Sequence, residues 1–453
     1  MTRDMTCGSP LRHIVAFSWP LFVGNIIQCA YSLTDAILVG RLLGETALAA
    51  VGGVTSMLFV VLGFVFGLSS GVGVVVAQRF GAHDSRGVRL AVGTGVWVCG
   101  VVTVLISGLC LLGTEVILFL METPHSIYEQ ARTYLQISFY GIVFMAFFNF
   151  QSAVLRAFGD SQTPLYCLVG ASLLNVLLDV IFVTVFEWGV AGAAGGTKTA
   201  GFFSAFCFFV AVTRRLSDLR LRLSEWRPRR KLVRVQLSIG IPMGLQFSIT
   251  GLGALVLQRA INTFGVAQMA GMTAARNVEM IAVQLPVALG QAMATYSAQN
   301  FGAGQLTRIR QGVRTSILLV VLSGASLTVL TVLFSDVFIA LFLQGASATV
   351  TEAFTVGRKM LSITAPFFIP LGTIFIFRNT LQGVGHSFWP MVAGVVEMVM
   401  RAGVALVLLP VLGVHAVYWG DPCAWVGASF LLWITYAVIA WHWPERRGTC
   451  KLV

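Results

Sequence analysis

Apolar runs long enough to cross a bilayer as helices, about 20 residues each, alternate along this chain with short polar breaks. Twelve can be marked, at 11–40, 47–77, 88–113, 130–154, 163–186, 190–212, 235–262, 268–299, 311–335, 355–380, 388–410 and 415–441. Six fall in each half. The pattern predicts an all-α integral membrane protein with twelve transmembrane helices. The first run is too long for a cleaved leader and has a counterpart in the second half.

The halves also repeat one another. Ala77-Gln78-Arg79-Phe80-Gly81-Ala82 returns 221 residues later as Ala298-Gln299-Asn300-Phe301-Gly302-Ala303. Ser18-Trp19-Pro20 is answered by Gly240-Ile241-Pro242 at 222, and Gly159-Asp160-Ser161-Gln162-Thr163-Pro164 by Gly385-His386-Ser387-Phe388-Trp389-Pro390 at 226. Long internal repeats are a common way to build secondary transporters. The expected organisation is two pseudo-symmetric six-helix bundles, 1–213 and 235–453, the second ending in a short cytoplasmic tail. A basic cytoplasmic linker, 214–234, joins them.

Composition agrees with this class: 57% of residues are hydrophobic, 11% are charged and mean hydropathy is +0.85, which a soluble domain of this length does not tolerate. The net charge of +12 does not point to nucleic acid, because the basic residues mark one side of a membrane. Nine lie between Arg214 and Arg234, against Asp218 and Glu225. Arg79, Arg86 and Arg89, Arg308, Arg310 and Arg314, and Arg446, Arg447 and Lys451 fall on the same side; Glu115, Glu122 and Glu129 fall on the other. Positive residues stay inside, so the expectation is a multi-pass inner-membrane protein, monomeric, with cytoplasmic N- and C-termini. The linker would anchor the topology and touch anionic lipids. The eight cysteines include no CxxC pair and the six histidines are dispersed, so no metal site is read. There is no nucleophile with its base, and no Walker A motif. The expectation is therefore no enzyme and no cofactor, with transport driven by an ion gradient.

Gly67, Gly71 and Gly73, and Gly240 with Gly244, have the spacing that lets membrane helices approach closely. Ionisable residues inside spans say more, since each costs at least about 2.5 kcal/mol at the bilayer centre. Asp35 precedes Arg41 by six residues, Asp179 precedes Glu187 by eight, and Thr197 follows Gly189 by eight. All three then sit about 9–12 Å below the same outer surface. Asn175 shares a helix face with Asp179. This oxygen and amide set suits a proton or a sodium ion equally, and two carboxyls sharing a site resist double ionisation. Pro20, on the helix of Asp35, removes a backbone bond and is a candidate bend and gate. In the second half, Arg276 with Glu279 and Glu397 with Arg401 have the spacing of structural ion pairs. With the halves aligned at 226, Asn175 and Asp179 fall opposite Arg401 and Ala405, so the ion chemistry is expected in the first half only. Lys198 either snorkels or counter-charges Asp179. Phe202, Phe203, Phe206, Phe208 and Phe209, with Met145, Phe147, Phe148 and Phe150, are candidates for an apolar pocket.

Over nearly its whole length the chain resembles the multidrug and toxic compound extrusion family. The resemblance lies in the run from Pro20 to Val39, in Ala-Gln-x-Phe-Gly-Ala closing spans two and eight, and in Leu155-Arg156-Ala157-Phe158-Gly159-Asp160. It continues in Asn175-Val176-Leu177-Leu178-Asp179 followed by Gly189-Val190-Ala191-Gly192-Ala193-Ala194. In the DNA-damage-inducible-F-like branch the cation site consists of aspartates on spans one and five with a nearby Asn and Thr. These map onto Asp35, Asp179, Asn175 and Thr197, and Pro20 matches the bend position. The sodium-coupled branch carries acids on spans seven and ten; here Gln258 and Arg259 stand in the former and no carboxylate in the core of the latter. Lys198 is outside the family pattern. The resemblance implies a secondary active multidrug antiporter exporting amphipathic, often cationic small molecules in exchange for H+ or Na+. The alternative is a lipid or lipid-linked oligosaccharide flippase of the same broad superfamily.

Overall fold

The computed structural model describes residues 3–215, 223–261, 264–343 and 347–443. Part of the basic linker, with Asp218, Arg220 and Arg222, and the tail with Arg446, Arg447 and Lys451, lie outside the described residues. Among the described residues there are helices and turns and no strand.

The long helices are α1 (Pro10–Gly44), α2 (Thr46–Gly81), α3 (Ser85–Leu112), α4 (Tyr128–Ala157), α5 (Gln162–Val185), α6 (Gly189–Arg215), α7 (Arg230–Ile261), α8 (Val266–Gly302), α9 (Leu306–Leu333), α10 (Thr349–Gly383), α11 (Phe388–Leu412) and α12 (Val414–Trp441). They occupy the twelve expected spans, several running a turn or so further. Two short helices, Thr114–Leu120 and Ser335–Ala340, are additional. The break between α1 and α2 falls at Gly44, with φ 84° and ψ −177°, a conformation that residues with a Cβ avoid. Helical backbone continues through Pro20, although its ring leaves the Ala16 carbonyl without a helical donor.

The repeat extends to backbone detail. Left-handed residues recur at His83 and Gly304, at Gly159 and Gly385, and at Gly189 and Gly413. Wide π-helical turns recur at Ile181–Val185 and Val404–Leu408. The chain nevertheless packs as two compact units that do not divide at the repeat boundary. The first gathers the residues up to Met5 and Val23–Ser248; the second gathers Thr6–Phe22 and the chain from Ile249 onward. The divisions fall inside α1 and α7.

In the first unit, Ala50, Val54, Leu58, Val61 and Val65 make one stripe of α2. It packs on the equally spaced Ala131, Leu135, Phe139, Ile142 and Ala146 of α4. Lipid is as apolar as these side chains, so close contact has to hold the helices together. α2 and α7 meet backbone to backbone: a Cβ at Gly71 would lie 2.5 Å from Gly240 Cα. The end of the linker docks on α3, where Arg89 Nε donates to both Glu225 oxygens at 2.9 and 3.1 Å and Trp97 Nε1 donates to the Trp226 carbonyl at 2.8 Å. In the second unit, Arg308 Nη1 donates to the Gly8 carbonyl at 3.0 Å, and Arg310 Nη2 to the Ala440 carbonyl at 2.6 Å.

Candidate cation site

α5 turns its polarity inside out, as a membrane helix can. Leu173 and Leu177 are exposed, while Asn175 and Asp179 are each 2% exposed. Across from them stand α1 with Tyr31 and Asp35, α4 with Tyr134, and α6 with Gly196, Thr197 and Lys198. The four residues expected from sequence therefore meet in one place, inside the first unit. Asn175 Nδ2 donates to Thr197 Oγ1 at 3.1 Å, and Thr197 Oγ1 donates to the Ala193 carbonyl at 3.1 Å. The Asp35 and Asp179 carboxyls face each other within hydrogen-bonding reach, and the Tyr134 ring lies in the field of both. The Tyr31 hydroxyl reaches Thr197. The stem of Lys198 lies against Gly141 of α4.

Although Asn175 lies alongside, neither carboxyl oxygen of Asp179 receives a well-aligned protein donor. Two acceptors facing each other are compatible only if a proton or another cation lies between them. Gly196 makes this approach possible: a Cβ there would fall on Asp179 Oδ1 and lie 3.0 Å from the Asp179 nitrogen. The π-helical turn begins two residues after Asp179, widening α5 immediately beyond the site.

The pair sits between two different surroundings. Towards Gly44, one turn beyond Asp35, Asp179 and Thr197, Val39, Val183 and Ala193 join Ala47, Val51 and Val190 in an apolar plug. On the opposite side is a cavity of about 120 Å³ lined by Gln28, Tyr31, Asn149, Asn175, Thr197 and Ser204 together with Met145 and Phe148. Of the aromatic candidates, Phe148 reaches this cavity and Phe208 is fully buried. Phe147, Phe150, Phe202, Phe206 and Phe209 line a separate apolar groove of about 420 Å³ on α3, α4 and α6. Phe203 borders a third recess with Cys167 and Gly170.

The second unit holds a network of five charged side chains, Arg276, Arg378, Glu397, Arg401 and Asp421. Glu397 accepts from Arg378 Nη2 and lies 3.6 Å from Arg401 Nη1. Arg401 Nε donates to Asp421 Oδ1 at 2.8 Å. Arg276 does not close the expected pair with Glu279: Nη1 donates to Gln258 Oε1 at 2.9 Å and Nη2 lies 3.8 Å from Asp421. Glu279 instead accepts from the Thr364 hydroxyl. Helical spacing put Arg276 and Glu279 on neighbouring positions, but their partners come from other helices. Asp421 was not singled out in the sequence, although an acid inside the twelfth apolar run was a readable signal. Among the described residues, no group of three or more His, Cys, Asp and Glu side chains could hold a metal.

A multi-pass helical membrane protein built from a repeated half, with a carboxyl pair and a polar cavity buried in one bundle, has the architecture of a transporter. The chain belongs to the MatE family, whose model matches residues 20–181 and 242–407. It is a transporter and not an enzyme. Among curated proteins it is 28% identical to a probable multidrug resistance protein, YpnP of Bacillus subtilis, over 87% of each chain. It is also 28% identical to a second from the same organism, YoeA, over 99% of this chain and 97% of the relative. The fold matches an outward-facing multidrug resistance MATE family transporter of the MOP superfamily with a TM-score of 0.90, at 20% identity and 98% coverage of both chains.

Proposed function

We propose that this protein is a secondary active multidrug antiporter of the inner membrane. It exports amphipathic, often cationic small molecules in exchange for inward-moving H+ or Na+, and both its termini are cytoplasmic. The observation that carries this reading is the Asp35–Asp179 pair, two facing carboxyls whose buried Asp179 oxygens lack an aligned protein donor. The names of the curated relatives support the substrate class.

In this reading a proton taken up from outside neutralises the pair. Asp35 and Asp179 then no longer repel, Asn175 and Thr197 rearrange with them, and the polar cavity loses its attraction for a cationic substrate. Release of the proton to the cytoplasm restores that attraction. Substrate and proton thus exclude each other through charge, which produces exchange without contact between them. Pro20 lies fifteen residues before Asp35 on α1, where a missing backbone bond lets the helix bend as the pair changes charge. The protein works as a monomer, without a cofactor, in contact with membrane lipids.

The test is ethidium efflux from proteoliposomes under an imposed proton gradient, then under a sodium gradient, for wild type and Asp35→Asn. Gradient-driven efflux in the wild type, abolished by the substitution, is expected. The wild-type rate should change with external pH between about 5.5 and 8, since carboxyls that share a site release their protons in separated steps. A flat profile, or dye movement indifferent to gradients and substitution alike, would refute the reading and favour a lipid transporter.

A further inference from the structure

The apolar groove of about 420 Å³ on α3, α4 and α6 takes no part in the proposed exchange. Its walls are residues 96–103, 143–150 and 202–209, each about 10 Å long. Phe144, Phe147, Phe202, Phe206 and Phe209 are exposed along it, and nothing lies within 4 Å of where a Cβ on Gly100 would stand. α3 runs against α4, and a Cβ at Gly95 would touch the Phe150 ring, so the Val96 end of the groove is the end towards the basic side of the protein. Counted back from Ala157, where α4 ends, the groove covers depths of about 10–20 Å, the acyl region of one leaflet.

The end of the linker is laid along α3 at that mouth. A Cβ at Gly93 would lie 2.3 Å from the Glu225 carbonyl, the Arg229 backbone N–H donates to Thr94 Oγ1 at 3.5 Å, and Trp97 holds the Trp226 carbonyl. Trp97 and Trp226 are both exposed, as indoles are at a membrane–water boundary. Arg227, Arg229 and Arg230 are exposed as well, and the nearby acid, Glu225, is already held by Arg89.

We propose that the groove and these arginines form one binding site for an anionic phospholipid of the cytoplasmic leaflet. Its acyl chain lies between α3, α4 and α6, and its headgroup phosphate meets Arg227 and Arg229. Surrounding lipid is as apolar as the groove, so a chain gains only contact by entering, and the headgroup has to supply the selection. An exposed arginine at the membrane surface favours an anionic lipid about fivefold. A cationic amphiphile meets the same arginines with the wrong sign, which sets this site apart from the polar cavity beside Asp35 and Asp179. Docking on Arg89 and Trp97 holds the basic segment at the mouth of the groove, where a free linker would sweep the surface. The site relies on the proposed topology and on neither the coupling ion nor the exported substrate.

The experiment places the full-length protein in phosphatidylethanolamine nanodiscs doped with phosphatidylglycerol or phosphatidylcholine carrying a diazirine on one acyl chain, and maps the photolabelled residues by mass spectrometry. Phosphatidylglycerol should label the three groove walls well above the exposed Leu318 and Leu322 of α9, and at least about fivefold more than phosphatidylcholine does. Arg227→Gln with Arg229→Gln, both on the surface, should bring the two lipids to equal labelling. Gly100→Phe, which fills the groove, should remove the label there and leave that on α9. Groove labelling no stronger than on α9, equal labelling by both lipids in the wild type, or a preference unchanged by the arginine substitutions overturns the assignment. Displacement of the label by excess ethidium would also overturn it, by making the groove a route for the exported compounds.

Discussion

Replacing Glu397 by leucine takes away the acid that two buried guanidinium groups share. Side chains of Arg378, Glu397 and Arg401 are only 7%, 5% and 7% exposed, so solvent cannot take over. The damage should be unequal. Arg401 keeps Asp421 through a 2.8 Å bond. Arg378 has no other acid within ion-pair distance among the described residues; its Nε already lacks a partner, and its guanidinium carbon sits 5.9 Å from the centre of the Phe375 ring. Stranding a buried charge in this way costs about 3–5 kcal/mol, whereas removing both members in favour of apolar groups of similar size is often neutral. Glu397→Leu should therefore lose about 3–5 kcal/mol in a reversible SDS-unfolding titration, and Arg378→Met with Glu397→Leu should recover at least about 2 kcal/mol of it. Arg378→Met alone should be the milder single change, since Glu397 retains Arg401. The reasoning fails if the double variant is no more stable than Glu397→Leu, or if that single change costs less than about 1 kcal/mol, the range of an exposed pair.

Gly196→Ala should abolish gradient-driven dye efflux while leaving expression and elution profile intact, because its methyl group displaces the Asp179 carboxyl; Gly170→Ala, with open space at its Cβ, should transport normally. Gly71→Ala should lower unfolding stability by about 1–3 kcal/mol in the same SDS titration, since the methyl meets the backbone of α7 and both helices must part. Gly100→Ala, with nothing within 4 Å, should instead be neutral or more stable by up to about 1 kcal/mol.

Depth was the legible part of the site. Counting turns from Arg41, Glu187 and Gly189 put Asp35, Asp179 and Thr197 at one level, and the helix repeat put Asn175 on the face of Asp179, before any packing was known. What a one-dimensional reading lacks is direction across helices. Lys198 lies next to Thr197 in sequence, yet its stem packs against Gly141, more than fifty residues away. Gly196 reads as one more small residue in a glycine-rich helix, and only the packed structure reveals that it admits a carboxyl. Arg276 and Glu279 illustrate the opposite error, in which favourable local spacing is overridden by Asp421, Gln258 and Thr364 from other helices. The twelve helices were visible because lipid imposes length and apolarity on each, whereas the Gly44 break between α1 and α2 rests on a single backbone conformation.

The divisions inside α1 and α7 bear on how the chain can be assembled. Residues 6–22 belong with the later part of the chain, and the start of α7, to Ser248, belongs with the earlier part. Each half of the polypeptide thus lends a piece to the other's unit, as two partners do when they exchange arms. A ribosome that has finished the first half has not yet supplied α7, and that half still holds a segment whose neighbours are unmade. Cutting the gene at the repeat boundary would accordingly give two fragments, neither of which contains a complete unit, and each would mature only in the other's company.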